Sequence, residues 1–316
     1  MTVAKEDTTP KEAQFDKKLK KVCSKCSAAS IKVYKRNITR LWRLVDDDAP
    51  LPLTGSWLKK PKLLAEYKKL PLKSRRHIST AAVKAAQMYK VTTDRWSVQM
   101  YKDAALYQRG RDKNTKTPVE KKKWPTGGFK AVKKAASQMW QRVKVLLKGE
   151  PTMKALYRYQ MFILLKLFSE LPFRNTFATF ELNKQGNNNY IEQPKRGNIR
   201  LVVRQHKAVK TVGPRTVTLS RAASMALRKF LKFREKVVDN KWLFNTMTKG
   251  KMSRATLGKA LHRVTKELLG SSFGSRLIRV LAATAARKEI EKVQELGYAM
   301  LHSGGSKQTA QYSRKD

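Results

Sequence analysis

The chain has 316 residues, 41% of them hydrophobic, with 70 Lys and Arg against 23 Asp and Glu for a formal net charge of +47. Two cysteines exclude a disulfide framework, and the longest apolar run, Met161–Leu165, is cut by Lys166 and is too short to span a bilayer. Such a cationic chain repels itself unless a polyanion neutralises it, and a nucleic acid is the natural partner because its phosphates bind lysine and arginine without any reading of bases.

Met1–Asp7 contains no apolar core, so no secretory signal is read there. Residues 1–27, centred on Lys17-Lys18-Leu19-Lys20-Lys21, read as a flexible basic arm. Cys23 and Cys26 have the spacing of half a zinc site, but no second Cys or His pair completes it, so no metal is expected. Ile31, Tyr34, Ile38, Leu41, Trp42 and Val45 then recur at helical spacing until Asp46–Pro50 ends the pattern. Trp57–Leu70 predicts a second helix. Ser74 is placed to cap a third, with Ile78, Ala82, Ala85 and Tyr89 on its apolar side. The other side of that helix shows Lys73, Arg75, Arg76, Lys84 and Lys90, a stripe suited to a DNA backbone. A fourth helix starts at Thr92-Thr93-Asp94 and carries Trp96, Met100, Tyr101 and Ala104. Residues 28–115 thus read as a helical DNA-binding bundle.

The stretch through Thr117-Pro118, Lys121-Lys122-Lys123 and Gly127-Gly128 has no apolar period, so 116–128 reads as a basic linker whose lysines could meet phosphate. Two helical patterns come next, 129–148 and 152–171, stopped by Pro172-Phe173-Arg174-Asn175. The period then changes: 199–205 and 215–219 are β-rich and flank Gly213-Pro214, predicting a hairpin. Helices resume at 221–238, 254–269, 275–287 and 289–301, with a short last one at 308–312. The fold class is therefore mainly α, an N-terminal helical bundle and then, at 129–316, a mostly helical catalytic domain with a small antiparallel hairpin sheet.

Arg276 and Arg279 are three residues apart and share a face if helical, while Leu277, Val280 and Leu281 seat that helix on a core. Like charges so placed repel, and a phosphate between two guanidiniums relieves the repulsion through bidentate bonds. A solvated basic face is the plainer account of the pair alone. The residues downstream are less ordinary: Met300-Leu301-His302-Ser303, and then Gln308-Thr309-Ala310-Gln311-Tyr312.

An arginine after a buried helix, a lysine on a hairpin, Arg-x-x-Arg, a histidine and a late tyrosine, in that order, resemble the catalytic domain of tyrosine recombinases, the phage-integrase family. The resemblance covers roughly 130–316, with 28–115 as a core-binding domain. It implies Tyr312 as the nucleophile that forms a 3′-phosphotyrosyl link, without ATP, metal or other cofactor. Arg174 and Arg279 would clamp the non-bridging oxygens, and His302 would hydrogen-bond the phosphate. Lys207, favoured over Lys210, would protonate the leaving 5′-oxygen. Arg276 fills a slot usually held by His or Lys, and being permanently charged it can bind phosphate but not shuttle protons. Where the family places an acid three residues after the first arginine, this chain has Phe177.

The resemblance implies a site-specific recombinase or integrase from a virus, phage or other mobile element, assembling as a tetramer on two double-stranded DNA sites, with no membrane and no small-molecule substrate. Arg75, Arg76, Lys84, Lys121, Lys122 and Lys123 are the expected DNA contacts. A type IB topoisomerase uses a similar residue set, and a non-catalytic basic DNA-binding protein fits the charge. The basic runs fit nuclear entry and DNA contact alike, so the compartment stays open.

Overall fold

A computed structural model describes residues 10–46, 50–112, 115–206, 209–287 and 289. The architecture is mainly α, in two compact units, Met1–Thr115 and Lys116–Asp316.

Among the described residues the elements of the first unit are all helices: α1 (Pro10–Val22), α2 (Ala28–Trp42), a 3-10 turn at Ser56–Lys59, α3 (Pro61–Lys69), α4 (Leu72–Met88) and α5 (Asp94–Asp112). The segment expected as a flexible arm is, over Pro10–Val22, a packed helix. Phe15, Leu19 and Cys23 recur every fourth residue, so one face is apolar despite the lysines around it, and all three are buried in the unit's core. The helix expected over Trp57–Leu70 is split at Pro61, which lacks an N–H to continue a helix and instead starts α3. Ser74 is not a cap either: Pro71 holds that position and Ser74 N–H bonds its carbonyl. Trp42 packs edge-on to Trp57 at 5.4 Å, and Tyr67 edge-on to Trp96 at 5.3 Å. The Trp96 indole N–H donates to the Leu58 carbonyl at 3.1 Å, so this large aromatic also satisfies a buried polar atom.

The second unit opens with α6 (Pro118–Lys123), where a linker was expected. Thr117 and Glu120 cap it reciprocally, each side chain bonding the other's backbone N–H, which lets so short a helix form. The long helices α7 (Phe129–Leu146) and α8 (Met153–Glu170) pack side by side. Residues Met161–Leu165 are all buried in α8, which explains the uninterrupted apolar run: the helix is covered on most sides by other elements rather than by lipid. Among the described residues no helix is long and apolar enough to cross a membrane.

After a 3-10 turn at Asn175–Thr179 comes a four-stranded sheet in the order β1 (Phe180–Glu181), β2 (Asn189–Glu192), β3 (Arg200–Val203), β4 (Arg215–Thr218). The expected hairpin is the β3–β4 pair, in register Val203 to Arg215. The sheet is mixed rather than antiparallel, because β1 runs parallel to β2. These two strands are short and were not read in the sequence. The short α9 (Val209–Val212) lies between β3 and β4, and α10 (Arg221–Glu235), α11 (Arg254–Leu269) and α12 (Ser275–Ala285) complete the described unit. Most of its buried residues form one core under the sheet and around α8.

Candidate functional site

The site is built around the first turns of α12. The chain enters that helix through Phe273, whose N–H donates to Thr265 Oγ1 at 3.0 Å and whose carbonyl accepts from the same hydroxyl at 2.9 Å. Gly274 caps the helix without a side-chain bond. A Cβ there would lie 3.0 Å from His262 Nε2, so any other residue would press on that ring of α11. Arg276 and Arg279 then stand one turn apart, as their spacing predicts. Arg276 is 77% exposed and its Nη2 lies 3.6 Å from Glu120 Oε1. Arg279 is half-buried and bonds its own helix, Nε to the Ser275 carbonyl, at 3.3 Å.

Arg174 is the N-cap residue of the 3-10 turn after α8, and that turn packs against α11. Burial pushes the Arg279 guanidinium's pKa down, and the charges of Arg174 and then of Arg276 push it further. The fold thus places Arg174, far from the other two in sequence, near enough for its charge to act on Arg279. Among the described residues, Arg174 has no side-chain hydrogen bond or ion pair. Its immediate support is backbone: Asn175 Nδ2 donates to the Arg254 carbonyl at 2.9 Å and holds the turn against α11. Phe177 is fully buried and stacks on Phe173 at 5.2 Å, so the position of the missing acid has been given to the core.

Beside Arg174 a cleft of about 310 Å³ is lined by Phe173, Thr176, Val203, His206, Arg215 and Val217. His206 ends the stretch after β3, where the side chain of buried Asn189 accepts the Arg204 and Gln205 N–H groups at 2.7 Å each. The His206 ring donates from Nε2 to the Gly213 carbonyl at 3.0 Å, since a carbonyl can only accept, and so ties together the two ends of the β3–β4 connection. Lys207, His302 and Tyr312 lie outside the described residues, and so does the side chain of Lys210.

The only acid in contact with the arginine group among the described residues is Glu120. Its carboxyl is held below the usual carboxylate range, first by the Thr117 backbone N–H and last by Arg276, while burial acts the other way. The Thr117-x-x-Glu120 capping pattern lies in the stretch expected as a linker, and neither it nor the pairing of Glu120 with Arg276 was read from the sequence. His206 and Arg215 also went unread, because nothing in a strand's sequence tells which side chains face a neighbouring turn.

The six expected phosphate contacts separate into different environments. Arg75 Nη2 lies 3.4 Å from the carboxylate of fully buried Asp103, its own side chain is 19% exposed, and Tyr67 donates to the same carboxylate. Arg75 thus stands in an ion pair with a buried acid, while its other terminal nitrogen bonds the Lys68 carbonyl at 3.4 Å at the surface. Arg76 lies over the Tyr107 ring at 4.1 Å, and Lys84 Nζ bonds Gln87 Oε1 at 3.0 Å. Lys121 and Lys122 are exposed on α6, while Lys123 is half-buried and its carbonyl accepts from Ser271 Oγ at 2.9 Å. These three lysines are thereby pinned close to the entry of α12.

Cys23 and Cys26 are free thiols, and burial raises the pKa of Cys23. Among the described residues no three His, Cys, Asp or Glu side chains gather as a metal site.

No protein-family model matches the chain, and no curated protein matches it. Among solved structures the chain is similar to the XerH site-specific recombinase bound to its difH substrate in a pre-cleavage complex, with 16% identity, a TM-score of 0.49, and 95% of this chain and 81% of that chain covered. It is similar to XerH on a palindromic difH substrate in a post-cleavage complex, at 16% identity, TM-score 0.47 and the same coverages of 95% and 81%. It is also similar to the XerA recombinase, at 12% identity, TM-score 0.35, and coverages of 96% and 94%.

Proposed function

We propose that the protein is a site-specific DNA recombinase or integrase that cleaves and rejoins duplex DNA through a 3′-phosphotyrosyl intermediate. The observation that carries this reading is the gathering of Arg174, Arg276 and Arg279 around one locus with, among the described residues, a single acid in contact. Three guanidiniums held at one place repel one another, and a phosphodiester offers the oxygens that satisfy them. Lys207, His302 and Tyr312, which follow one another along the sequence, are assigned the remaining chemistry.

In this mechanism Tyr312 gives its phenolic proton to water as its oxygen bonds to phosphorus, the bond from phosphorus to the 5′-oxygen breaks, and Lys207 gives a proton to that leaving oxygen. Arg174 and Arg279 bind the non-bridging oxygens as charge builds in the transition state, and His302 bonds one of them. Arg276 adds fixed positive charge and Glu120 restrains it. Attack by a new 5′-hydroxyl reverses the step and releases Tyr312. The phosphotyrosyl bond conserves the energy of the broken linkage, so rejoining needs no nucleotide. Four protomers on two duplexes would complete the exchange.

Nicked suicide duplexes drawn from DNA flanking the gene test the reading. The wild type should form a covalent protein–DNA adduct, and Tyr312→Phe should form none while binding the same duplex as tightly. Absence of an adduct from the wild type on every flanking repeat sinks the proposal. Efficient relaxation of a plasmid lacking any target would instead assign a topoisomerase.

A further inference from the structure

The second unit carries a cleft that the proposed chemistry does not use. It holds about 660 Å³ between α7, α8 and α10, and none of Arg174, Arg276 and Arg279 lines it. Its lining residues recur every three or four positions along each helix, over 133–141 on α7, 159–170 on α8 and 222–229 on α10, so each helix contributes one face. Small side chains on those faces, Ala136, Ala222 and Ala226 among them, leave the space open.

The wall of the cleft is aromatic. The Trp140 ring lies 5.1 Å from that of Phe162 and 6.1 Å from that of Tyr159, and Tyr159 stacks on Phe162 at 6.1 Å. Met225, 51% exposed, extends the apolar surface outward. A concave site of this volume, apolar with a few polar groups, is the ordinary setting for a small organic ligand.

Tyr159 is left with an unused donor. It is 1% exposed, yet among the described residues its hydroxyl makes no hydrogen bond, and burial is the sole cause that raises its pKa. A phenol so deeply placed normally finds a partner, so this one is free to donate to an oxygen that enters the cleft.

The charges are unbalanced as well. Lys133, Lys166 and Lys229 share the lining with one acid, Glu170. That acid is already satisfied: Lys166 Nζ lies 3.1 Å from its Oε1, and Ser220 donates to it from Oγ at 2.7 Å and from its N–H at 3.3 Å. Lys133 and Lys229 are exposed and, among the described residues, have no acidic partner. The cleft thus joins an aromatic wall to two uncompensated positive charges.

We infer that this cleft binds a small aromatic carboxylic acid, its ring against Trp140 and Phe162, its carboxylate toward Lys133 and Lys229, and an oxygen within reach of the Tyr159 hydroxyl. A neutral aromatic would leave both ammonium groups without a partner, and a simple anion would leave the aromatic wall wet. The inference depends neither on DNA binding nor on strand cleavage.

Isothermal titration calorimetry of the full-length protein with naphthaleneacetate tests it, with naphthaleneacetamide and acetate as the arms that lack the charge and the ring. One site per chain is expected, and the amide and acetate should each bind at least about tenfold more weakly. Lys133→Gln combined with Lys229→Gln should weaken naphthaleneacetate about tenfold, and Tyr159→Phe about fivefold. Ala222→Trp fills the cleft from an exposed position and should abolish binding without lowering the melting temperature. The control pair Lys134→Gln and Lys232→Gln lies on α7 and α10 but outside the lining, and should keep affinity within about twofold of the wild type. Equal affinity for the acid and the amide, or equal loss in the two lysine pairs, would mean unspecific attraction by a cationic chain and overturn the inference. So would wild-type affinity in Ala222→Trp. No binding of naphthaleneacetate, with an acidic tryptophan-bearing peptide held by the wild type but not by Ala222→Trp, would assign the cleft to a protein partner instead. Adduct formation is not read in this assay, so failure of the cleavage mechanism and failure of the ligand site are told apart.

Discussion

Thr265 holds the entry to α12 by one hydroxyl, and replacing it with valine tests whether that hydroxyl places the arginines. Valine keeps the shape and removes both bonds to Phe273, the donated one of 2.9 Å and the accepted one of 3.0 Å. Thr265 is fully buried and Phe273 is 2% exposed, so water cannot replace either bond in place. A backbone N–H and a carbonyl would each be left unmatched at about 1–3 kcal/mol, for a loss of about 2–6 kcal/mol. Thr265→Ser keeps the hydroxyl and loses only a buried methyl, about 1 kcal/mol. Urea unfolding monitored by fluorescence measures both, and a shift of the thermal midpoint of order 10 °C is expected for valine. Valine costing less than about 1 kcal/mol, or serine costing as much as valine, would refute the reasoning. In the surviving folded fraction, the valine variant should also form adduct more slowly than serine, because the first turn of α12 is no longer pinned.

Arg75→Ala and Arg76→Ala should differ although the residues are adjacent. The first strands the buried Asp103 carboxylate and should destabilise the protein by about 3–5 kcal/mol, while the second should change stability by about 0.5 kcal/mol or less, both read by thermal melting. Arg279→Ala should cut adduct formation about 100- to 1000-fold in single-turnover assays, yet leave the melting temperature at low salt unchanged or raised, since it relieves repulsion from Arg174 and Arg276. Burial pushes the Tyr159 hydroxyl up to about 12 from its ordinary 10.0. A raised folded-state pKa means full stability below about pH 10 and progressive loss between about pH 10 and 12, on the order of 2 kcal/mol, as the unfolded chain releases its proton first. Tyr159→Phe should remove that part of the alkaline loss in urea midpoints measured across this range.

Much of the second unit was legible because its periods are strong. Met161–Leu165 announces a helix covered on most sides, the β-rich stretches flanking Gly213-Pro214 announce a hairpin, and the three-residue spacing of Arg276 and Arg279 puts them on one face. The first unit was read less well. Phe15, Leu19 and Cys23 carry a helical period, but lysines between them dominate the composition, and the segment reads as a solvated arm until the core that receives it is known. Strand β1 escaped because two residues make a strand only through the partner that supplies their hydrogen bonds, and β2 because Tyr190 and Ile191 stand side by side between polar residues, with neither the alternation nor the β-branched run of β3 and β4.

The sequence by itself determined the charge of +47, which makes a polyanion the expected partner in any fold, and it determined the helical periods and the face that Arg276 and Arg279 share. Tertiary structure alone decided which cations face outward and which are spent inside. Neighbouring helical residues such as Arg75 and Arg76 point about 100° apart, so the location of Asp103 makes one an internal ion pair and leaves the other at the surface. It also decided that Glu120 meets Arg276 and that Arg174 comes close to Arg279. Those pairings lie between residues remote along the chain, and their geometry comes from the packing of the core, which local propensity does not encode.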